Sequence, residues 1–284
     1  MAIIIDGKIT SQKVKDEVFS EVKKLTEKGM RKPCLAVVLV GDNEASKIYV
    51  RNKKRSCEEV GFISLEYLLP ADTNQEELNT LIDSLNSDDT VDGILVQLPL
   101  PEGLDEQSVI NRISPQKDVD AFHPQNVGRI TLGKPSFLPC TPAGVMRLLS
   151  EYNIEISGRE CVVVGRSNIV GKPMSLLLLS ENGTVTVCHS RTYDLAQVTK
   201  RADILVVAIG VAKKITADMI KEGAVVIDVG MNRVDGKLCG DVDFESCSKK
   251  ASYITPVPGG VGPMTIAMLM QNTLTAYKMH INQS

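Results

Sequence analysis

Short apolar runs alternate with helix-like patterns along most of the chain. The runs read CLAVVLV (34–40), GILVQL (93–98), CVVVG (161–165), ILVVAIG (204–210) and AVVIDVG (224–230). Near-continuous apolar runs of this length are typical of parallel strands that are covered on both faces. Parallel strands need right-handed crossovers, which the intervening helical segments can provide. The pattern therefore predicts an α/β fold with doubly wound parallel sheets.

The alternation stops between Pro99 and Pro142, where prolines and loops interrupt it. Such a stretch is typical of a junction between domains. We therefore expect two lobes with a cleft between them. The residues before this stretch are expected to form the first lobe, and the α/β series after it a doubly wound second lobe.

The composition argues against several classes of partner. A formal net charge of -3 gives no general attraction to nucleic acid or to an anionic membrane. The longest apolar run, residues 204–212, is too short to cross a bilayer, and the first residues lack a secretory pattern, so a cytoplasmic protein is expected. Because the scattered cysteines and histidines share no metal-ligand spacing, we expect free, buried thiols and no metal site.

The first strand of the second lobe leads into the turn VVVGRSNIVGKP (162–173). In a dinucleotide-binding domain, the backbone N–H groups of this turn and the N-terminus of the next helix bind a pyrophosphate. Gly165 and Gly171 do not have the GxGxxG spacing. The turn is not a P-loop either, because five residues separate the glycines and Pro173 stands where a magnesium-binding hydroxyl is required. The alternative is a tight strand-to-helix turn that binds no ligand.

The choice of cofactor depends on the segment HSRT (189–192), at the tip of the next strand. An NAD site usually has a carboxylate about 20 residues after the glycine turn. This segment has Ser190 and Arg191 instead, and Arg166 directly follows Gly165. Guanidinium and hydroxyl groups suit a 2′-phosphate, which favours NADP over NAD. The alternative is that Arg191 is a solvated surface charge.

In the first lobe, the segment ASKIYVRNKKRSC (45–57) has a helical pattern. Ser46, Tyr49 and Lys53 are three and four residues apart, so they share one helix face. A tyrosine and a lysine on that face could stack a flat ligand and transfer a proton. One alternative is a solvated basic run. Another is a short-chain dehydrogenase, which also uses a serine with YxxxK, but in that class the triad follows the glycine turn instead of preceding it.

Two further segments carry polar side chains next to predicted strands. Gln97 lies at the carboxyl end of GILVQL, where open α/β sheets bind ligands. Asp118 and Asp120 lie in the junction loop, where a carboxylate could pair with an N–C–N group through two hydrogen bonds. The alternative for both aspartates is a role as a turn former or helix cap.

The stretch PVPGGVGPMTI (256–266) is unusually rich in proline and glycine. Both residue types disfavour a strand interior, so we expect a loop of defined shape, and such loops often carry function. The alternative is the beginning of a helix, with Pro263 near its first turn and Thr265 and Ile266 starting the amphipathic pattern.

Together, these motifs resemble the bifunctional methylenetetrahydrofolate dehydrogenase/methenyltetrahydrofolate cyclohydrolase family. The resemblance covers essentially the whole chain and rests, in this order, on YVRNKKRSCEEVGF, DGILVQLPLP, KDVDAFHPQNVG, PCTPAGVMRLL, VVVGRSNIVGKP, TVTVCHSRT, ADILVVAIG, VIDVGMNR, GDVDF and TPVPGGVGPMTIAML. It implies a cytoplasmic, homodimeric enzyme of one-carbon metabolism. The implied reactions are oxidation of 5,10-methylenetetrahydrofolate with NADP and hydrolysis of the methenyl product to 10-formyltetrahydrofolate.

The resemblance also implies roles for the candidate residues. Lys53 is the central residue of the hydrolysis step, Gln97 bonds it and tunes its state, and Tyr49 stacks on the folate ring system. Residues 1–140 with 256–284 would form the folate-binding catalytic domain, whose implied substrate contacts are Ser46, Tyr49, Asp120, Pro258, Gly259 and Gly260. Residues 141–255 would bind NADP through Gly165, Arg166, Ser167, Val170, Gly171, Pro173, Ser190 and Arg191.

One position departs from the family pattern, because Ala121 replaces the glycine of the usual KDVDGF. If that position needs a positive φ, alanine costs about 1 kcal/mol and can shift Asp120. Two other functions stay open on the residues alone: an NADP-dependent oxidoreductase of short-chain type on another substrate, and an inactive folate- or dinucleotide-binding module. Retention of Tyr49, Lys53 and Gln97 with Asp120 argues against the inactive module.

Overall fold

The computed structural model describes residues 1–282 of the chain as an α/β protein. The strands are β1 (Ile3–Ile4), β2 (Cys34–Val40), β3 (Ile63–Leu69), β4 (Gly93–Val96), β5 (Glu160–Val164), β6 (Thr184–Cys188), β7 (Ile204–Val207), β8 (Val225–Asp228), β9 (Asn232–Val234), β10 (Lys237–Cys239) and β11 (Tyr253–Ile254). The helices are α1 (Gly7–Glu27), α2 (Glu44–Val60), α3 (Gln75–Ser87), α4 (Glu106–Arg112), α5 (Pro124–Thr131), α6 (Cys140–Glu151), α7 (Gly171–Ser180), α8 (Leu195–Thr199), α9 (Phe244–Cys247) and α10 (Val261–Ile281).

The chain divides into two compact units. Residues 12–138 and 266–284 form one, called here the three-strand unit, and residues 1–11 and 139–265 form the other, the six-strand unit. This division places the first eleven residues and residues 256–265 with the six-strand unit, whereas the sequence-based boundaries grouped them with the first lobe. The assignment of a separate function to each domain stays a prediction.

In the three-strand unit, the parallel sheet has the order β3-β2-β4. Strand β2 is central and every one of its seven residues is buried, which explains its uninterrupted apolar sequence. Its core also includes Leu78, Ile82 and Leu85 of α3, which lie on one helix face. Asn74 caps α3 in a capping box with Glu77.

In the six-strand unit, the sheet has the order β1-β11-β8-β7-β5-β6, and all of its strands are parallel. The chain passes from β5 to β6 on one side and then crosses to β7 on the other side of β5. Parallel strands whose connections diverge in this way leave a crevice at their carboxyl ends, where ligands of open α/β sheets bind. The predicted doubly wound α/β fold is confirmed.

Several predicted elements differ in detail from the structure. The strands predicted to end at 98, 210 and 230 end at Val96, Val207 and Asp228, because the residues that follow form loops at the carboxyl edges of the sheets. The segment between β7 and β8, expected to be helical like the other segments between strands, has a single 3₁₀ turn, Ala217–Met219. The proline- and glycine-rich stretch is a loop only as far as Gly260, since α10 already begins at Val261.

None of the seven cysteines forms a disulfide, and six of them are buried. Burial raises the pKa of the Cys57 thiol to about 12, so this group is an inert part of the core. Among the described residues, no helix is long and apolar enough to cross a membrane.

Candidate functional site

Lys53 and Gln97 are brought together in the three-strand unit. Lys53 lies on α2, is only 9% exposed, and donates a hydrogen bond from Nζ to Oε1 of Gln97 over 2.9 Å. Gln97 directly follows β4 at its carboxyl end, and its own Nε2 donates to the carbonyl oxygen of Leu98 at 2.7 Å. The amide is therefore oriented with its oxygen toward the lysine. This geometry fixes the position of a lysine that can exchange a proton.

Ser46 and Tyr49 lie on the same helix, one turn apart. Asn43 caps α2, and its Oδ1 accepts a hydrogen bond from the backbone N–H of Ser46, which is buried. Tyr49 is 36% exposed, and its partial burial raises the pKa of the phenol. A neutral, partly exposed ring four residues before Lys53 is suited to stack on a flat ligand.

The two aspartates of the junction loop have different environments. Asp118 is buried, and its carboxylate accepts hydrogen bonds from the backbone N–H of His123 and from Nδ2 of Asn126, both at 2.8 Å. Burial raises the pKa of Asp118, against the effect of these hydrogen bonds. Asp118 therefore organises its own loop, while Asp120 is only half-buried.

Ala121 has a φ of 60° and is completely buried. The positive φ that the sequence analysis made conditional is therefore present at this position. An alanine tolerates this conformation at a cost of about 1 kcal/mol relative to glycine.

In the six-strand unit, the turn between β5 and α7 requires both of its glycines. Gly165 has a φ of 135°, and a Cβ there would lie 2.3 Å from the carbonyl oxygen of Ala208. A Cβ on Gly171 would lie 2.3 Å from the carbonyl oxygen of Gly165. Strand, turn and helix therefore approach each other as closely as backbone allows, as a dinucleotide turn requires.

Ser167, Val170 and Pro173 complete this turn. The Oγ of Ser167 accepts hydrogen bonds from the N–H groups of Val170 at 3.2 Å and Gly171 at 3.3 Å, so it holds the backbone that leads into α7. Pro173 is buried in the first helical turn, where its missing N–H is not needed. Arg166 is exposed next to Gly165.

The segment after β6 presents its cationic and hydroxyl side chains outward. His189 and Thr192 close the turn, since the N–H of His189 donates to Oγ1 of Thr192 at 2.8 Å. Ser190 and Arg191 are exposed. The nearest following carboxylate, Asp194, caps α8 through the N–H of Gln197, so it is already engaged by its own helix.

The loop Pro256–Gly260 is shaped by the beginning of the chain, which the sequence analysis missed. The N–H of Gly7 donates to the carbonyl oxygen of Gly259 at 2.9 Å. A Cβ on Gly7 would lie 1.7 Å from the carbonyl oxygen of Gly260. Pro258 is exposed, whereas Gly260 is buried. The DGK sequence (6–8) was the available signal, because a glycine at a helix N-terminus indicates a close backbone approach.

Two buried aspartates were also missed, although their motifs, VIDVGMNR and GDVDF, were noted. Asp228 and Asp241 are almost fully buried in the six-strand unit. Burial raises the pKa of Asp228 to about 6. Within the described residues, no cluster of three or more histidine, cysteine, aspartate or glutamate side chains could hold a metal ion.

Two family models match the chain. Residues 5–120 match the catalytic domain of tetrahydrofolate dehydrogenase/cyclohydrolase, and residues 139–281 match its NAD(P)-binding domain. The bifunctional protein FolD of Halalkalibacterium halodurans is 61% identical over 277 residues, which cover 98% of this chain and 99% of the relative.

Solved structures agree with these matches. The bifunctional FolD from Campylobacter jejuni has a TM-score of 0.96 at 52% identity, covering 98% of this chain and 99% of the other. The FolD of Trypanosoma brucei, solved with NADP cofactor and inhibitor, has a TM-score of 0.95 at 40% identity, covering 99% and 98%. The chain belongs to the tetrahydrofolate dehydrogenase/cyclohydrolase family.

Proposed function

We propose that this protein oxidises 5,10-methylenetetrahydrofolate with NADP and hydrolyses the methenyl product to 10-formyltetrahydrofolate. The observation that carries the proposal is the hydrogen bond between Lys53 and Gln97 in the part of the chain that matches the catalytic domain. The same chain has a glycine turn of dinucleotide-binding geometry in the part that matches the NAD(P)-binding domain.

In the hydrolysis step, water adds to the amidinium carbon of the cationic methenyl folate. Lys53 is proposed to help activate this water or to transfer its proton, and Gln97 holds its Nζ in position. A lysine accepts a proton only in its neutral form, and removal from water favours that form. Tyr49 is proposed to stack on the folate ring system.

Substrate binding is proposed to use further residues. Asp120 would accept two hydrogen bonds from the amino-pyrimidine edge of the pterin, which matches the geometry of a carboxylate. Ser46 would supply a polar contact. The loop residues Pro258, Gly259 and Gly260 would contact the folate through backbone, which the close approach of Gly7 holds in one shape.

In the oxidation step, NADP when bound accepts the hydride that leaves the methylene carbon. The residues present fit such a dinucleotide. A dinucleotide turn needs glycines where strand, turn and helix pack closely, and a Cβ on Gly165 or Gly171 would clash with neighbouring backbone. The pyrophosphate would lie at the N-terminus of α7, within the turn Gly165–Pro173, where Ser167 accepts a hydrogen bond from the N–H of Gly171. Ser190, Arg191 and Arg166 would bind the 2′-phosphate, since they are exposed at the carboxyl edge of the sheet.

The protein is further proposed to be a cytoplasmic homodimer. Seven cysteines without a disulfide suit a reducing compartment. Among the described strands only β2 pairs with β3, and the edge strand β3 exposes Ile63 and Leu68 to 46% and 64%. An edge of this kind can pair with a second copy. Sedimentation equilibrium would test the oligomeric state, and a monomer at micromolar concentration would contradict the proposed homodimer.

Absorbance spectroscopy tests the two activities. The purified protein is mixed with 5,10-methylenetetrahydrofolate and either NADP or NAD, and reduced cofactor and methenyl folate are followed separately. Cofactor reduction without lasting methenyl accumulation, faster with NADP, is expected. Absence of cofactor reduction would refute the dehydrogenase, and persistent methenyl folate would refute the cyclohydrolase.

A further inference from the structure

Asp241 is a buried carboxylate whose hydrogen bonds hold the loop after β7. Its Oδ2 accepts from the backbone N–H groups of Ile209 at 2.7 Å and Gly210 at 2.9 Å. Its Oδ1 accepts from Nδ2 of Asn232 at 2.9 Å. The side chain is completely buried, so these bonds are shielded from competition by water.

The two backbone bonds fix the direction of two consecutive peptide groups. In a trans peptide the C=O and N–H groups point in opposite directions. Because the N–H of Ile209 points to Asp241, the carbonyl of Ala208 points away from it. This carbonyl oxygen packs against Gly165, where it occupies the space of a Cβ. Asp241 therefore orients backbone directly beside the glycine turn.

Asp228 holds Asp241 in place. Its Oδ1 accepts from the N–H of Asp241 at 3.0 Å, and its Oδ2 accepts from the N–H of Val242 at 2.9 Å. Gly230 and Gly240 allow this arrangement. A Cβ on Gly230 would lie 2.2 Å from a carboxylate oxygen of Asp241, and a Cβ on Gly240 would lie 1.8 Å from one of Asp228. The pair of carboxylates is thus built into the backbone around it.

We propose that Asp241 is a positioning residue for dinucleotide binding, acting through the peptide groups of Ile209 and Gly210, which follow the carboxyl end of β7 beside that of β5. These strands flank the crevice in which a doubly wound sheet binds its ligand. The inference rests on the proposed binding of NADP by the six-strand unit. Asp241 touches no reacting atom in this scheme, and its effect is on the shape of the crevice.

Three variants separate this role from general stability. Asp241→Ala leaves the N–H groups of Ile209 and Gly210 without their acceptor. Asp241→Asn keeps an oxygen for both groups, and Asn232 can turn its amide to accept from the new NH₂ group. The control is Asp203→Ala, which also removes an acceptor of a backbone N–H group, that of Glu160. Glu160 lies at the amino end of β5, opposite the carboxyl ends of the strands.

Binding of NADP is measured by isothermal titration calorimetry at a temperature at which circular dichroism shows each variant folded. We expect Asp241→Ala to weaken binding about 10- to 100-fold, because two buried donors must find new partners. Asp241→Asn should stay within about threefold of the wild type, and Asp203→Ala should not change binding. Hydrolysis of methenyltetrahydrofolate, which consumes no dinucleotide, should keep its rate in all three.

Wild-type affinity in Asp241→Ala, or equal weakening in Asp241→Ala and Asp241→Asn, would overturn the inference. The second result would make the charge decisive instead of the acceptor geometry. If Asp241→Ala does not fold, Asp241→Ser replaces it, because its shorter hydroxyl cannot accept both N–H groups. Failure of the wild type to bind NADP would instead contradict the proposed function, independently of Asp241.

Discussion

The Nζ of Lys53 lies 2.9 Å from Oε1 of Gln97, and this bond joins α2 to the carboxyl end of β4. A lysine held in this way has a defined position, and its ammonium group is a proton donor. The pair therefore gives the hydrolysis step its most direct tests.

Lys53→Met should abolish cyclohydrolase activity, because methionine has a similar length but cannot transfer a proton. The expected loss is about 100-fold or more in the rate of methenyl folate hydrolysis, the usual contribution of a positioned proton-transfer group. Lys54→Met is the matched control, since Lys54 is half-exposed and forms an ion pair with Glu66. Retention of hydrolysis in Lys53→Met would remove Lys53 from this role.

Gln97→Glu should move the pH dependence of hydrolysis upward. A carboxylate at hydrogen-bond distance favours the charged ammonium form of Lys53, so a higher pH is needed to obtain the neutral amine. The rate of hydrolysis is measured against pH in both proteins, with the exposed Gln107→Glu as control. An unchanged profile would show that the state of Lys53 does not limit the rate.

Arg191→Ala should reduce the preference for NADP over NAD. The variant loses a guanidinium that suits the 2′-phosphate, so kcat/KM with NADP should fall about 10-fold or more while the value with NAD stays nearly constant. Arg201→Ala is the control, because Arg201 pairs with Glu160 at the other edge of the sheet. A parallel loss with both cofactors would assign Arg191 to a different contact.

Ala121→Gly and Ala121→Val should differ in their effect on stability. At a φ of 60°, glycine relieves strain that offsets the lost methyl burial, so the free energy of unfolding should change by less than about 1 kcal/mol. Valine adds bulk in a buried, left-handed position and should lower it by about 2 kcal/mol or more. Urea denaturation measures both, and a valine variant as stable as the glycine variant would contradict the assigned backbone conformation.

Asp92→Asn should remove part of the acid sensitivity of folding. Burial alone would raise the pKa of Asp92, but hydrogen bonds from Arg31, His280 and the N–H of Cys34 outweigh it and lower the pKa. A lowered folded-state pKa gives stability that is present above about pH 4, the pKa of an unfolded aspartate, and is lost as the pH falls further.

The free energy of unfolding of the wild type should therefore fall steeply below about pH 4, and that of Asp92→Asn less steeply. At pH 7 the variant should be less stable by about 2 kcal/mol or more, because Arg31 loses its ionised partner. Asp83→Asn breaks only an exposed pair with Arg112 and should change stability far less. Identical acid limbs in wild type and Asp92→Asn would contradict the assignment.

The regular elements could be read from local pattern with good accuracy. Strand β2 has the predicted bounds, because its continuous burial is visible in the sequence itself as an uninterrupted apolar run. The ends of β4, β7 and β8 were placed two or three residues too late. Apolar residues there continue past the sheet into loops, so hydropathy cannot mark where pairing stops.

Among the site residues, local spacing placed Tyr49 and Lys53 on one helix face, and the resemblance assigned their chemistry. The choice between Asp118 and Asp120 was different, because it depended on which carboxylate the surrounding backbone and Asn126 use as an acceptor. That contact joins residues of separate elements and leaves no periodic trace in the sequence.

The sequence by itself determined the α/β class, most of the strands and helices, the family and the residue types available for chemistry, because these depend on local periodicity and on motifs in a fixed order. Only the tertiary structure decided that Gly7 shapes the loop at Gly260, that the Ala208 carbonyl replaces a side chain at Gly165, and that Asp241 holds the loop after β7. Each of these contacts joins backbone atoms distant in sequence, and hydropathy reports only whether a residue is buried, not which partner it meets.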